Sequence, residues 1–184
     1  MEFNFSAMCN KGAELAKGDY ILLLNDDIEI IQEDWLDKML EKAMLPHVGA
    51  VGVKLLYPGS NTIQHAGITN IRLGPAHKLQ FRDDRNDYYF LRNRLCFDVL
   101  GVTGACLMVK KSTYEAAGGL SETLRVAFND VELCYHLYDM GYVNVVRNDV
   151  ALYHHESLSR GMDDSVEKLK RLHQELNMLY ELHP

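Results

Sequence analysis

The stretch LLLNDDIEII, Leu22 to Ile31, decides the fold. A run of leucines stops at Asn25, Asp26 and Asp27, and the chain then resumes as isoleucines. A turn alone is satisfied by Gly or Pro. Adjacent carboxylates instead repel, and need water, a cation or a basic partner to sit together. Asp19 to Leu24 is wholly apolar after its first residue, the pattern of a central strand buried on both faces. The acids then stand at the carboxyl end of a strand, where open α/β sheets bind ligands. Hard oxygen donors at such a place suit Mg²⁺ or Mn²⁺, with water and substrate phosphates completing the shell. On this stretch alone, Asp26 or Asp27 capping the following turn explains the acids equally well.

Outward from there, Ser6 to Lys17 reads as a helix closed by Gly18. Trp35, Leu36, Met39, Leu40, Ala43 and Met44 recur at helical spacing, and Pro46 ends that helix. VGAVGVKLL, Val48 to Leu56, is a second buried strand, with PGSN as a turn. Gly74 to Arg94 is rich in charge, including RDDRND, and reads as a long exposed loop or lid. VTGACLMVKK predicts a third strand, and Ser112 to Ala117 a short helix capped by Ser112 and closed by Gly118 and Gly119. Asn129 to Met140 is a helix ended by Gly141. VNVVRNDVALYHH predicts two short strands around an Arg-Asn-Asp turn, and Asp163 to Leu182 a final amphipathic helix. Strands alternating with helices indicate one α/β domain over residues 1–184, with a mostly parallel sheet flanked by helices.

The chain has 184 residues, 47% of them apolar, enough for one domain with a real core. A net charge of −7 argues against a nucleic-acid partner, since phosphate-backbone binders concentrate Lys and Arg. The four cysteines (Cys9, Cys96, Cys106, Cys134) are widely spaced and read as buried thiols in a reducing compartment. No stretch approaches the ~18 apolar residues of a transmembrane helix, and the N-terminus has no signal-peptide pattern. A cytoplasmic protein is expected, with peripheral contact to a membrane surface compatible with that reading.

Two further segments carry candidate chemistry. In FNDVELCYHLYDMGY, Asn129 and Glu132 have capping-box spacing. Asp130, in the first turn, fits either a helix-dipole partner or a general base facing the crevice. In LYHHESLSRG, His154 and His155 end a strand, where an imidazole can complete a mixed oxygen and nitrogen site. Arg160 can meet a phosphate bidentately or form a surface ion pair.

The order NKGAELAKGDYILLLNDDIEI, IQHAG, VTGACLMVKKSTYEAAGGLSETLRVAFNDVELCYHLYDMGY and YHHESLSRG resembles the family 2 glycosyltransferases. It is most similar to the branch of rhamnosyltransferase-like and O-antigen or cell-wall polysaccharide enzymes. The resemblance implies a GT-A fold and inverting transfer of a sugar from a nucleotide-diphospho-sugar donor to a saccharide or lipid-linked saccharide acceptor. Asn25-Asp26-Asp27 matches the family's DxD-type motif with Asn in place of its first acid, so the resemblance makes Asp27 a metal ligand. Asp130 matches the catalytic base. The histidine after the late apolar strand matches a further metal ligand; His154 is taken over His155 because it directly follows ALY. Thr103, Gly104 and Ala105 match a donor-sugar and acceptor segment, joined by Asn25, Asp26 and Asn129. Arg160 matches a loop closing over the diphosphate. The implied cofactor is Mg²⁺ or Mn²⁺.

Family members begin with further βα units that cup the base and ribose, whereas MEFNFSAMCNKG resembles the middle of such a domain. The expectation is a catalytic portion lacking its nucleoside-binding part, with an apolar sheet edge left open for self-association. Two other functions compete with sugar transfer. One is nucleotidyl transfer, which also places acids and a metal against a nucleotide but uses a Gly-rich basic first loop not visible here. The other is a non-catalytic remnant that binds carbohydrate or a partner subunit.

Overall fold

The computed structural model describes residues 3–155 and 166–184. Helix α1 (Phe5–Leu15) starts where the Asn4 side chain accepts the Ala7 N–H at 3.0 Å. Strand β1 (Tyr20–Leu24) follows, then β2 (Ile28–Glu29), α2 (Trp35–Ala43) and β3 (Val48–Leu56). The chain continues through β4 (Ile63–His65), β5 (Ile68–Ile71), β6 (Gly74–His77), β7 (Cys96–Val99), β8 (Cys106–Lys110) and α3 (Lys111–Ala116). It ends with α4 (Asn129–Asp139), β9 (Val143–His154) and α5 (Val166–Leu182). Among the described residues no helix is long and apolar enough to cross a membrane.

A 7-stranded sheet runs in the order β1-β8-β3-β9-β2, with β4 added to β3 and β7 to β9. Every residue of β3 is buried, as its continuous apolar run predicts. On one face Met39 and Ala43 of α2 pack on Val51, Val53, Leu55 and Leu152. On the other, Ala13, Tyr114, Leu133 and Leu137 from α1, α3 and α4 pack on Ile21, Leu23, Leu107 and Val109. The result is a sheet between two helical layers. Helix α1 is also tied to residues far along the chain. Ser6 Oγ donates to the Leu124 carbonyl at 2.6 Å, and Asn10 Nδ2 to the Leu120 carbonyl at 2.9 Å.

The expectation of a mostly parallel sheet is corrected to a mixed one. β1, β3 and β9 do run the same way, but β8 is inserted antiparallel between β1 and β3. β3 with β9 is the parallel pair among the described strands. β1 is accordingly an edge strand rather than a central one. Its apolarity reflects helices covering both faces, not strands on both sides. Two further boundaries shift. Val102 to Ala105 precede β8 as a turn, in which Thr103 O accepts the Cys106 N–H. α3 begins at Lys111 with no side-chain cap from Ser112; Lys111 Nζ donates instead to the Ala16 carbonyl at 2.6 Å, joining it to α1.

β9 is one strand, where two around a turn are expected from Arg147-Asn148-Asp149. Its register on β3 jumps from Val53↔Arg147 to Lys54↔Ala151, so the polar residues form a bulge. Arg147 Nε and Nη2 bond Asp149 at 2.8 and 2.7 Å, while its Nη1 reaches the Lys38 carbonyl and Glu41 on α2 at 2.9 Å. These carboxylates hold the guanidinium above its ordinary pKa range. Arg147 and Asp149 thus stay within a strand because α2 and the bulge itself bond them, while Asn148 donates from Nδ2 to the Arg92 carbonyl and keeps a buried Oδ1 with no partner among the described residues.

The region expected as an exposed loop, Gly74 to Arg94, is organised from below. β6 pairs with β5. Lys54, buried in mid-β3, donates to both Asp84 oxygens at 3.0 and 2.8 Å and to the Asn93 carbonyl at 2.8 Å. Asn93 Nδ2 in turn donates to the Asp84 carboxylate and to the backbone carbonyls of Asp84 and Asn86. Burial pulls the Lys54 ammonium below its ordinary value, and Asp84 opposes that pull. A lysine facing the core of an apolar strand demands such a carboxylate, and that demand folds the loop back.

Lys54→Met leaves the Asp84 carboxylate without its buried cation, with only the half-exposed Arg94 Nη1 at 3.9 Å. The expected loss is about 3–5 kcal/mol of unfolding free energy, checked by urea denaturation. A Lys54→Met/Asp84→Leu double variant is expected to recover part of it.

Candidate active site

The carboxyl ends of β1, β3 and β9 and the amino end of β8 meet at one edge of the sheet. The triplet after β1 crosses this edge. The Asn25 N–H donates to the Ala105 carbonyl at 2.9 Å, and the His155 N–H to the Asp27 carbonyl at 3.0 Å. β2 then pairs with the end of β9, Ile28 opposite His154. These backbone bonds carry Asp27 from one side of the sheet to the other and set it beside His154.

Asp27 Oδ1 lies 3.1 Å from His154 Nε2, and both side chains are only 12% exposed. The other ring nitrogen, Nδ1, lies 2.7 Å from Gln64 Oε1. Gln64 Nε2 donates to the His154 backbone carbonyl at 3.4 Å, which orients the amide so that Oε1 accepts from Nδ1–H. With the ring neutral, Nε2 therefore carries a lone pair, approached by Asn25 Nδ2 at 3.3 Å. Among the described residues Asp27 Oδ1 is buried without a hydrogen-bond donor. The two atoms form an ion pair when the ring is protonated; when it is neutral both are acceptors, with Asn25 Nδ2 as a donor beside Nε2. A cation satisfies both acceptors in the neutral state. Ligands on adjacent corners of an octahedron with bonds of about 2.1 Å lie about 3 Å apart, so the spacing fits. Among the described residues no group of three or more His, Cys, Asp and Glu is placed to hold a metal. Asp27 and His154 thus offer a partial shell of the kind Mg²⁺ and Mn²⁺ complete with water and phosphate.

The remaining candidates fall into place around this pair. His155 turns away, with Nε2 at 2.8 Å from Glu29 Oε2. Asp26 is exposed on the crossing segment. Thr103 Oγ1 accepts the Ala105 N–H at 3.3 Å, bracing the turn that carries Gly104. The Gly104 N–H donates to Asp130 Oδ2 at 2.6 Å, and the Val131 N–H to Asp130 Oδ1 at 2.8 Å. Residues 103–105 thus link the acid triplet to the start of α4. Arg160 lies outside the described residues.

The capping box expected at α4 is absent. The N-cap is Phe128, in left-handed backbone at φ 60° with no side-chain bond. Asn129 Oδ1 accepts the Asp130 N–H at 2.9 Å, while its Nδ2 is buried without a partner. Glu132 instead lies 3.5 Å from His183 Nε2, across from the end of α5. Its carboxylate faces a C-terminal imidazole rather than its own helix start.

Sequence reasoning assigned no role to Gln64 or His65, although IQHAG stood out. β4 joins β3 beyond the end of β8, so its residues lie at the same edge. The fully buried His65 has Nδ1 2.7 Å from His77 Nδ1 and accepts the Gly67 N–H at Nε2, 3.2 Å away. Burial, with His77 adding to it, holds this imidazole well below its ordinary pKa.

Comparison with known proteins gives a consistent picture. Residues 2–117, more than half the chain, match the profile of Glycosyl transferase family 2. The chain is 42% identical over 180 residues to an uncharacterised protein, y4gI, of Sinorhizobium fredii, covering 96% of this chain and 20% of that protein. It is 37% identical over 163 residues to the O-antigen biosynthesis protein RfbC of Myxococcus xanthus, covering 88% of this chain and 13% of that protein. The chain therefore spans a fifth or less of these curated relatives. Its fold is similar to that of the mannosyltransferase PcManGT from Pyrobaculum calidifontis, solved with GDP-Man and Mn²⁺ (TM-score 0.60, 16% identity, 96% of this chain and 42% of that one). It is also similar to that of GalNAc-T7, solved with UDP, GalNAc and Mn²⁺ (TM-score 0.64, 10% identity, 95% of this chain and 34% of that one). The mixed sheet between helical layers is thus the GT-A fold.

A Cβ added at Gly104 would stand 3.2 Å from Asp130 Cβ. Gly104→Ala is expected to displace Asp130 and cost about 1–3 kcal/mol. Gly12→Ala, with open space around it inside α1, is expected to add about 0.4–1 kcal/mol. Thermal unfolding of both variants checks the contrast.

Proposed function

This chain belongs to glycosyl transferase family 2, and we propose that it carries the catalytic portion of an inverting, metal-dependent enzyme moving a sugar from a nucleotide-diphospho-sugar to an acceptor hydroxyl. The observation that carries this reading is the facing pair Asp27 Oδ1 and His154 Nε2 at 3.1 Å. Asp27 and His154 would hold Mg²⁺ or Mn²⁺. Support comes from the Mn²⁺ and nucleotide ligands named for the two structural relatives. When bound, the cation neutralises charge on the departing diphosphate.

Gln64 acts behind this pair as a positioning residue. By accepting a hydrogen bond from Nδ1–H of His154 it fixes the tautomer in which the Nε2 lone pair would face the cation, the usual task of a group bonded to the far nitrogen of a ligating histidine. Asp130 is the general base. Each of its oxygens already receives one backbone N–H and keeps a further lone pair. Those bonds fix the carboxylate while leaving it able to take a proton. As the acceptor oxygen bonds to the anomeric carbon, the bond to the diphosphate breaks on the opposite side and the hydroxyl proton passes to Asp130. One displacement inverts the centre.

Asn25, Asp26, Thr103, Gly104, Ala105 and Asn129 line the donor and acceptor side. Arg160 meets the diphosphate. The name of the RfbC relative supports a role in cell-surface polysaccharide synthesis with a saccharide or lipid-linked saccharide acceptor. We place the protein in the cytoplasm, peripheral to the inner face of the membrane. The unpaired side of β1 offers a further strand or a second copy a place to add.

Two measurements test the site. Mn²⁺ titration with a nucleoside diphosphate present is expected to show Gln64→Leu weakened about 10–100-fold and Asp27→Ala weakened more, with unfolding temperatures near the parent's. Unchanged affinity in Asp27→Ala would return that residue to turn capping. In a longer enzyme containing this segment, Asp130→Asn is expected to lower turnover by at least ~10²-fold. Near-normal turnover removes Asp130 from the base role.

A further inference from the structure

The segment between Asp84 and Asn93 is rigid at its base and apolar at its tip. The Lys54–Asp84–Asn93 cluster closes the base, and Leu79 and Tyr88 pack inward on the Leu56, Ile63 and Ala66 cluster. The residues between them face water: Tyr89 and Phe90 are each 74% exposed, and Leu91 is exposed as well. Phe90 and Leu91 both adopt left-handed backbone, φ 54° and 56°, which bulky side chains avoid. The Tyr89 and Phe90 rings contact each other edge to face, with centroids 4.5 Å apart. A strained, anchored turn is thus holding two aromatic rings out in solvent, the reverse of what burial alone favours.

The charges beside the tip are equally uneven. Asp83 pairs with Arg85, Asp84 with Lys54, and Asp87 with Arg94. Arg92 has no acid partner among the described residues; its guanidinium lies 5.8 Å from the Tyr89 ring centre and 4.9 Å from that of Phe97. Lys78 likewise lacks one. Burial, and the nearby positive charge of Arg92, hold its ammonium below the ordinary value. Two uncompensated cations thus flank an exposed aromatic tip in a chain whose net charge is −7.

We propose that Tyr89, Phe90 and Leu91 dock this protein on an anionic lipid surface, with Lys78 and Arg92 against the lipid phosphates. Amphipathic rings sit at headgroup depth, and basic residues beside them meet the negative leaflet. A narrow convex tip suits a bilayer, which needs no complementary pocket. Three residues fall well short of a specific protein interface, which takes roughly 20–30 residues from each partner. The inference is independent of the sugar-transfer reading, because it needs no cation or donor at Asp27.

Flotation of the whole chain with phosphatidylcholine vesicles, with and without phosphatidylglycerol, tests it. Binding is expected only with phosphatidylglycerol, and is expected to fall as salt rises. Lys78→Gln and Arg92→Gln are each expected to weaken it about fivefold. Phe90→Asn removes the ring while tolerating left-handed backbone, and is expected to weaken it at every salt concentration. Phe90→Trp is expected to shift its emission to the blue on vesicles, against a constant background from the buried Trp35. Failure to bind phosphatidylglycerol vesicles, or equal binding by Phe90→Asn, overturns the proposal. So does complete competition by inorganic phosphate, which marks a soluble-anion site, or tip-dependent dimerisation without vesicles, which marks a protein face.

Discussion

The parallel pairing of β3 with β9 is the constraint on which the rest of the molecule depends. β3 is buried along its whole length, and its two sides receive β8 and β4 on one hand and β9 on the other. β9 in turn carries β7 along its first half and β2 at its end. Because β3 and β9 run the same way, their carboxyl ends finish together, and the acid triplet after β1 is drawn across to meet them. Polar groups at that edge are therefore convergent by topology rather than by local sequence.

Convergence alone leaves acceptors crowded together, and the electrostatics of the edge follow from that. Gln64 and Asn25 both orient around His154, and Asp27 contributes an oxygen with no donor of its own. The same edge holds Asp130 by two backbone N–H groups, one of them from a glycine whose missing side chain lets the helix approach. One half of the site is short of positive charge and the other is firmly tethered. That division suits the reaction proposed above, in which a cation at the first part would offset the charge of the leaving group and the second part would accept a proton.

Much of this was legible in the chain. Val48–Leu56 declares itself because all of it is buried and no polar residue but Lys54 interrupts it. The acids at Asn25–Asp27, the base candidate Asp130 and the histidine pair are visible as residue types at the ends of apolar runs. What escaped was whatever depended on distant partners. Asn148 and Asp149 look like a turn until Arg147 is seen to hold Asp149, and the Arg92 carbonyl to accept from Asn148 Nδ2, within the strand. RDDRND looks like a solvated loop until Asp84 is seen to answer Lys54, 30 residues earlier. Asn129 and Glu132 have a cap's spacing, but Phe128 takes the left-handed position and His183 takes the glutamate. Gln64 is unremarkable in sequence, and its orientation of His154 spans 90 residues.

The ties of α1 bear on how the chain can be made. Asn4 bonds the Glu122 carbonyl across 118 residues, and Asn10 bonds the Leu120 carbonyl across 110. Ser6 is fully buried against the Leu124 carbonyl. Contacts of such long sequence separation delay folding, because the loop must close before any of them is rewarded. On a ribosome the helix emerges well before the carbonyls that anchor it, which follow only after most of the sheet has been synthesised. During that interval its apolar face has no finished surface to cover. A nascent chain stalled before Leu120 would carry that helix unanchored, in the state in which chaperones and proteases find their substrates.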